Sequence, residues 1–193
     1  MNNVTDIVNH VVDETQSVNY QYFVLEAISD IFCVLMALYL VSPGIRKLVP
    51  FHSGYAASKK GFIFLANRWG IPQYPHLFRT IVGVIEILVF IGCMMCFLPQ
   101  PGVQAPVCMA LIAGMAICVP FLMTHWNDPW KERIPMLQQM AQGGTALVIR
   151  LYQDVPSESV QSIEVFAVLT VIGLAFMIYR RARYGRIPNP LLG

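Results

Sequence analysis

The sequence predicts an all-α, polytopic transmembrane helical bundle: a four-helix membrane core followed by a fifth, C-terminal helix. Three observations carry this. The 193 residues are 56% hydrophobic and 12% charged, against about 25% charged in soluble domains. Such an excess of apolar side chains does not fit inside a soluble core of this size, so lipid must solvate part of it. Several apolar runs reach the ~20 residues that cross a bilayer as a helix. The Lys and Arg residues fall in alternate connections between those runs, as the positive-inside rule requires.

Residues 1–22 hold Asp6, Asp13 and Glu14 and no Lys or Arg. They form no cleavable signal and are expected to be a lumenal N-terminal tail. Asn3-Val4-Thr5 is a glycosylation acceptor on that side. The core, 23–152, has expected spans at 23–42, 79–98, 105–124 and 134–152. The fourth is the weakest, because it carries Gln138, Gln139, Gln142 and Arg150. A five-span count with the N-terminus outside puts Arg46, Lys47, Lys59, Lys60 and Arg68 in a cytosolic loop, 43–78. It puts Lys131 and Arg133 in a second one and leaves only Arg150, of thirteen basic residues, toward the outside. Residues 153–179 supply an outer loop and the fifth span, 162–179, and 180–193 form a basic cytosolic tail. Within the 43–78 loop, Phe62, Leu65 and Trp69 recur at helical spacing behind Lys59 and Lys60. This suits either a helix lying in the membrane interface or a surface helix packed on the bundle.

Polar residues inside the spans are the candidate functional groups. A carboxylate near mid-bilayer costs ~2.5–3.5 kcal/mol on insertion scales, so it faces the bundle interior and finds a partner. Glu86 lies inside the second span. Glu26 and Asp30, four apart, share one face of the first, and Cys33 continues that face. Gln138, Gln139, Gln142 and Thr145 lie in the fourth, where Gly143 and Gly144 permit close helix approach. The expected result is a polar seam of the first, second and fourth spans. It would hold the bundle together, receive a ligand or a client's transmembrane segment, or pass protons. Arg79, seven residues before Glu86 and ~10 Å along the axis, is too far to pair with it. Lys47 is expected to snorkel at the basic end of the first span.

Five cysteines, Cys33, Cys93, Cys96, Cys108 and Cys118, all lie in apolar runs, which excludes a secreted disulfide framework. Cys93 and Cys96 have the spacing of a redox pair. The loops that would carry shuttle thiols hold no Cys, so packing is the expected role. His10, His52, His76 and His125 are scattered, and no metal site, cofactor or catalytic residue is expected. Nor is a nucleic-acid partner, since basic clusters only flank the membrane.

Three stretches resemble a known family. "SPGIRKLVP" (42–50) carries Gly44, Lys47, Leu48 and Pro50. "LFRTIVGVIEI" (77–87) carries Arg79, Gly83 and Glu86. "THWNDPWKERIPML" (124–137) carries Asp128 and Pro129. In that order they resemble the DoxX-like membrane proteins, and within them the animal TMEM35 group, over residues 30–152. The resemblance implies a DoxX-like four-helix core and no enzymatic activity. It implies an endoplasmic-reticulum chaperone that assists folding and assembly of oligomeric ligand-gated channels, with nicotinic acetylcholine receptor subunits as clients. Glu86, Gly83, Glu26, Asp30, Gln138 and Gln142 are the residues expected to meet client or ligand. Alternatives are an accessory subunit of a respiratory or quinone-linked complex, in the mitochondrial inner membrane, and an oxidoreductase using Cys93 and Cys96. The family core has four spans, so the fifth is an addition.

Overall fold

Six helices follow one another in a computed structural model that describes residues 2–98, 100, 102–125, 130–153 and 155–184, with side chains from residue 20 onward except Glu132 and Tyr184. They are α1 (Asn2–Leu48), α2 (Tyr55–Arg68), α3 (Pro75–Met94), α4 (Gln104–Thr124), α5 (Trp130–Gln153) and α6 (Ser157–Tyr184). A single 3₁₀ turn, Met95–Phe97, ends α3. No strand occurs among the described residues. Asn3 falls in the helical backbone of α1, while its side chain, and Asp128 and Pro129 entirely, lie outside the described residues.

Four helices are long and apolar enough to cross a membrane: α1 from Tyr20 to Leu48, α3 with its 3₁₀ turn, α4, and α6 from Ser157 to Arg183. The chain is thus an all-helical protein with the composition of a membrane protein. α5 falls short on composition because its glutamines and charged residues interrupt the apolar run. It nevertheless packs between α1 and α4 and closes a ring in the order α1, α3, α4, α5.

The side-chain contacts fix the directions. Ser29 Oγ donates to the Ala146 carbonyl and Gln139 Nε2 to the Met36 carbonyl, both at 3.4 Å. α5 therefore runs antiparallel to α1, with residues 139–150 alongside 29–36. Gly92 lies against Ala110 and Gly114 against Val89, so α4 runs antiparallel to α3. α6 rests along the outside of α4. Met109 of α4 lines a shallow pocket with Phe166 of α6, while Arg180 and Arg181 at the other end of α6 meet Gly70 and Trp69, whose indole reaches Thr124, so α6 runs parallel to α4. α1, α4 and α6 point one way, α3 and α5 the other.

The core between them is apolar: Met36, Ala37, Leu40, Val89, Val107, Leu111 and Ala146 are buried together. Close approach is set by glycines. A Cβ on Gly92 would sit 2.6 Å from the Ala110 Cβ, so α3 and α4 touch nearly backbone to backbone there. α2 lies on α3 and the end of α1 and buries Phe62, Leu65 and Ala66, with Trp69 following. The Trp69 indole donates to Thr124 Oγ1 at 3.0 Å, and that hydroxyl donates back to the Pro120 carbonyl one turn earlier in α4.

The first helix does not stop where the sequence puts its end. "SPGIRKL" reads as a span terminus, yet α1 passes through Pro43 to Leu48. A proline inside a helix removes one backbone bond. Here the last turns are held instead by packing on α3, described next.

Candidate functional site

Two buried ion pairs sit at opposite ends of the ring. The first joins α1 to α3. Lys47 Nζ donates to both Glu86 carboxylate oxygens, at 2.7 and 2.6 Å. The two side chains are 9% and 4% exposed. This corrects one expectation and sharpens another: Lys47 does not snorkel to the surface, and of the helices expected to share a polar seam with Glu86 it is α1 that supplies its partner.

The reason lies in two glycines. Gly44 sits three residues before Lys47, and Gly83 three before Glu86. A Cβ on Gly44 would lie 3.2 Å from the Glu86 Cβ and 2.9 Å from Ile87 Cδ1. A Cβ on Gly83 would lie 2.9 Å from the Lys47 Cβ and 3.0 Å from Leu48 Cγ. Each glycine therefore opens the space that the partner helix's charged residue enters. The Gly-x-x-Lys and Gly-x-x-Glu elements are two halves of one reciprocal, antiparallel contact. Phe62 of α2 closes the site from the side, its ring 5.8 Å from Lys47 Nζ. Pro50, in the turn after α1, is exposed.

We expect Gly83→Val to destabilise the bundle by ~1–3 kcal/mol through overpacking. Gly61→Val, where a Cβ meets nothing within 4 Å, serves as the neutral control. Thermal unfolding in detergent reads both.

Arg79 lies on α3 two turns below Glu86. As expected it does not reach Glu86. Its guanidinium stacks 4.1 Å from the Tyr55 ring centre and donates to a tyrosine hydroxyl, that of Tyr55, at 2.6 Å. It fastens the start of α2 to α3.

The second pair joins α1 to α5. Arg150 donates to Asp30 and to Gln104, so one guanidinium ties α1, α4 and α5 together. The Arg150 side chain is 2% exposed, that of Asp30 29%. Cys33 and Cys96 lie close to this pair. Nearby, Tyr22 donates to the Gln153 carbonyl at 2.7 Å. Lys47 and Asp30 are seventeen residues apart on α1, ~26 Å at helical rise. That is close to the ~30 Å hydrocarbon thickness. The charges thus bracket the apolar core and leave its middle with one polar link, from Gln139 to Met36.

The expected seam is only partly assembled. Asp30 belongs to it. Glu26, one turn earlier, is exposed and does not join Asp30. In α5 the buried glutamine is Gln139; Gln142 is half-buried and Gln138 faces outward. Gln104 and Ser29 are members that the sequence reading missed. Gln104 starts α4, in a stretch that reads as a turn. Arg150 carried a usable signal, since it is the one basic residue at the acidic end.

Chemically, these arrangements neutralise charge and hold helices. No group of three metal-ligating side chains occurs among the described residues, and all five cysteines are free. Cys93 is fully buried and Cys96 half-buried. Replacing both by Ser should leave stability within about 1 kcal/mol per site if they only fill space. Loss of function at normal protein level would return the thiols to the mechanism.

The chain matches no protein-family model, and no curated protein or solved structure is similar to it.

Proposed function

We propose that the chain is a non-enzymatic, DoxX-like membrane protein of the TMEM35 type. In this reading it assists the assembly of oligomeric ligand-gated channels in the endoplasmic reticulum, as the nicotinic acetylcholine receptor chaperone NACHO does. The supporting observation is the outer face of α5. Ile134, Gln138, Ala141, Thr145, Val148 and Tyr152 are all exposed, at alternating spacings of four and three. That spacing makes one stripe along a helix, the pattern through which helices pack at a shallow angle. Its centre is small and polar, while its ends are apolar or aromatic.

In register, this stripe runs beside the apolar span of α1, so it lies at membrane depth. Polar side chains there seek a partner, and small ones allow a second helix close. A client subunit with an unmet polar group in a transmembrane helix would be held at the stripe until its neighbours arrive. Hydrogen bonds between helices in lipid contribute only about 0.6–2 kcal/mol each. Such a grip is weak enough to release.

The accompanying topology has five crossings, α5 included, with the N-terminus lumenal and the C-terminus cytosolic. In its support, Arg46, Lys47, Lys59, Lys60, Arg68, Lys131, Arg133, Arg180, Arg181 and Arg183 all lie toward one end of the ring. Arg150, at the other end, is engaged by Asp30.

The test is a photo-crosslinking side chain at Thr145, with Ile172 on α6 as control, in cells co-expressing a nicotinic receptor subunit. Crosslinks to the subunit at 145 and not at 172 are expected. Gln138→Leu with Thr145→Val, both on the stripe, should lower receptor delivery to the surface severalfold at matched protein level. Full delivery, or equal crosslinking at both positions, would contradict the proposal.

A further inference from the structure

A long apolar groove runs along the lipid-facing side of the molecule, between α3 and α6, with α4 as its floor. It encloses about 700 Å³. Its floor is made of small residues, among them Ala110, Ala113 and Ala116, and Gly173 leaves α6 flat opposite them. A Cβ on Gly173 would meet nothing within 4 Å. From Pro106 to Phe121 the floor is ~22 Å long. The groove's volume is that of a small-molecule site.

One end of the groove is not neutral. Trp69 lines it, and the guanidinium of Arg181 lies 5.4 Å from the Trp69 ring centre. Arg181 Nη1 is buried and has no hydrogen-bond partner. Arg68 immediately precedes Trp69 in the chain and adds a second positive charge at this end. Its own guanidinium stacks 5.9 Å from Phe64. Neither arginine has a carboxylate partner among the described residues. Arg180 donates to the Gly70 carbonyl at 3.3 Å and pins the end of α6 beside Trp69. Two cations at one end of a mainly apolar groove, with no carboxylate partner among the described residues, form the complement of one molecule type.

We infer that this groove binds an anionic glycerophospholipid. One acyl chain lies between α3 and α6, and the headgroup phosphate bridges Arg68 and Arg181 above Trp69. Guanidinium forks match phosphate oxygens and form strong charge-assisted bonds. Trp belongs at the level where chain meets headgroup. The proposed topology adds that this end faces the cytosolic leaflet, which is rich in anionic lipid. That leaflet assignment rests on the topology above; the lipid class does not.

The experiment uses the full chain, purified in detergent and exchanged into nanodiscs of dioleoylphosphatidylcholine with 10 mol% dioleoylphosphatidylglycerol, about one lipid in ten. Lipid retained after release is counted by native mass spectrometry. Wild type should retain one phosphatidylglycerol preferentially. Arg68→Gln with Arg181→Gln should lower that preference about tenfold, the worth of one charge-assisted hydrogen bond, while phosphatidylcholine is still retained. Gly173→Phe, which fills the channel without touching the arginines, should lower retention of both lipids. Size-exclusion profiles identical to wild type show that the variants are folded. Equal retention of the two lipids by wild type, or a preference unchanged in the double variant, would overturn the inference. So would protein rather than lipid adducts from a photo-crosslinker at position 173 in cells. Selective retention together with reversed sidedness of α5 would remove the leaflet assignment and keep the site.

Discussion

Glu86→Leu is expected to lose ~3–5 kcal/mol of stability, the usual cost of leaving one member of a buried ion pair without its partner. Lys47 would remain 9% exposed, under Phe62 and between two helices that cannot separate to admit water. Glu86→Gln should also be costly, because an amide keeps the shape but removes the counter-charge from Lys47. The double variant Lys47→Met with Glu86→Leu should recover most of the loss, since both charges go together and apolar replacements of a buried pair are often neutral or stabilising. Thermal unfolding of wild type, Lys47→Met, Glu86→Leu and the double variant in one detergent gives the coupling directly, with Glu86→Gln measured beside them. Near-silence of Glu86→Gln would mean that Glu86 acts as a neutral hydrogen-bonding group and that the pair does not hold α1 to α3.

The second large effect is at the opposite end and is asymmetric. Asp30→Leu takes a carboxylate away from Arg150, which is 2% exposed and still donates to Gln104, and an arginine does not shed its charge. We expect a loss of about 3 kcal/mol or more. Arg150→Leu leaves Asp30, which is 29% exposed and can be hydrated, so about 1–2 kcal/mol is expected. Equal losses, or the reverse order, would show that the guanidinium is not the group buried at cost.

How far the sequence carries can be judged from these same residues. The helical class, the apolar spans and the helix at 55–68 follow from run length and periodicity, which are local properties. The weakness of the fourth span was legible too: Gln138, Gln139 and Gln142 lower its hydropathy, and α5 indeed fails on composition while taking its place in the ring. What was not legible is pairing. Lys47 and Glu86 are 39 residues apart, and their meeting depends on two glycines facing each other across helices. The sequence gives one helix's face at a time. It marks Gly83 as a place of close approach without saying that Lys47 fills it. Glu26 shows the converse: its four-residue spacing from Asp30 is compatible with a shared face, but it stays exposed while Tyr22 before it and Ser29 after it reach α5. The proline at 43 misplaced the end of α1 for a related reason, since tertiary contact overrides a local breaker.

The proposed topology makes α5 a full member of the membrane bundle, although it is the one ring helix without the composition of a span. Sidedness of its two ends tests that claim most directly. In a background with the five native cysteines replaced by Ser, single cysteines at Lys131 and Tyr152, both exposed, are probed in sealed endoplasmic-reticulum vesicles with a membrane-impermeant maleimide. The account predicts labelling at 131 in intact vesicles and at 152 only after permeabilisation. Labelling of both positions in intact vesicles would place α5 on the membrane surface and contradict it.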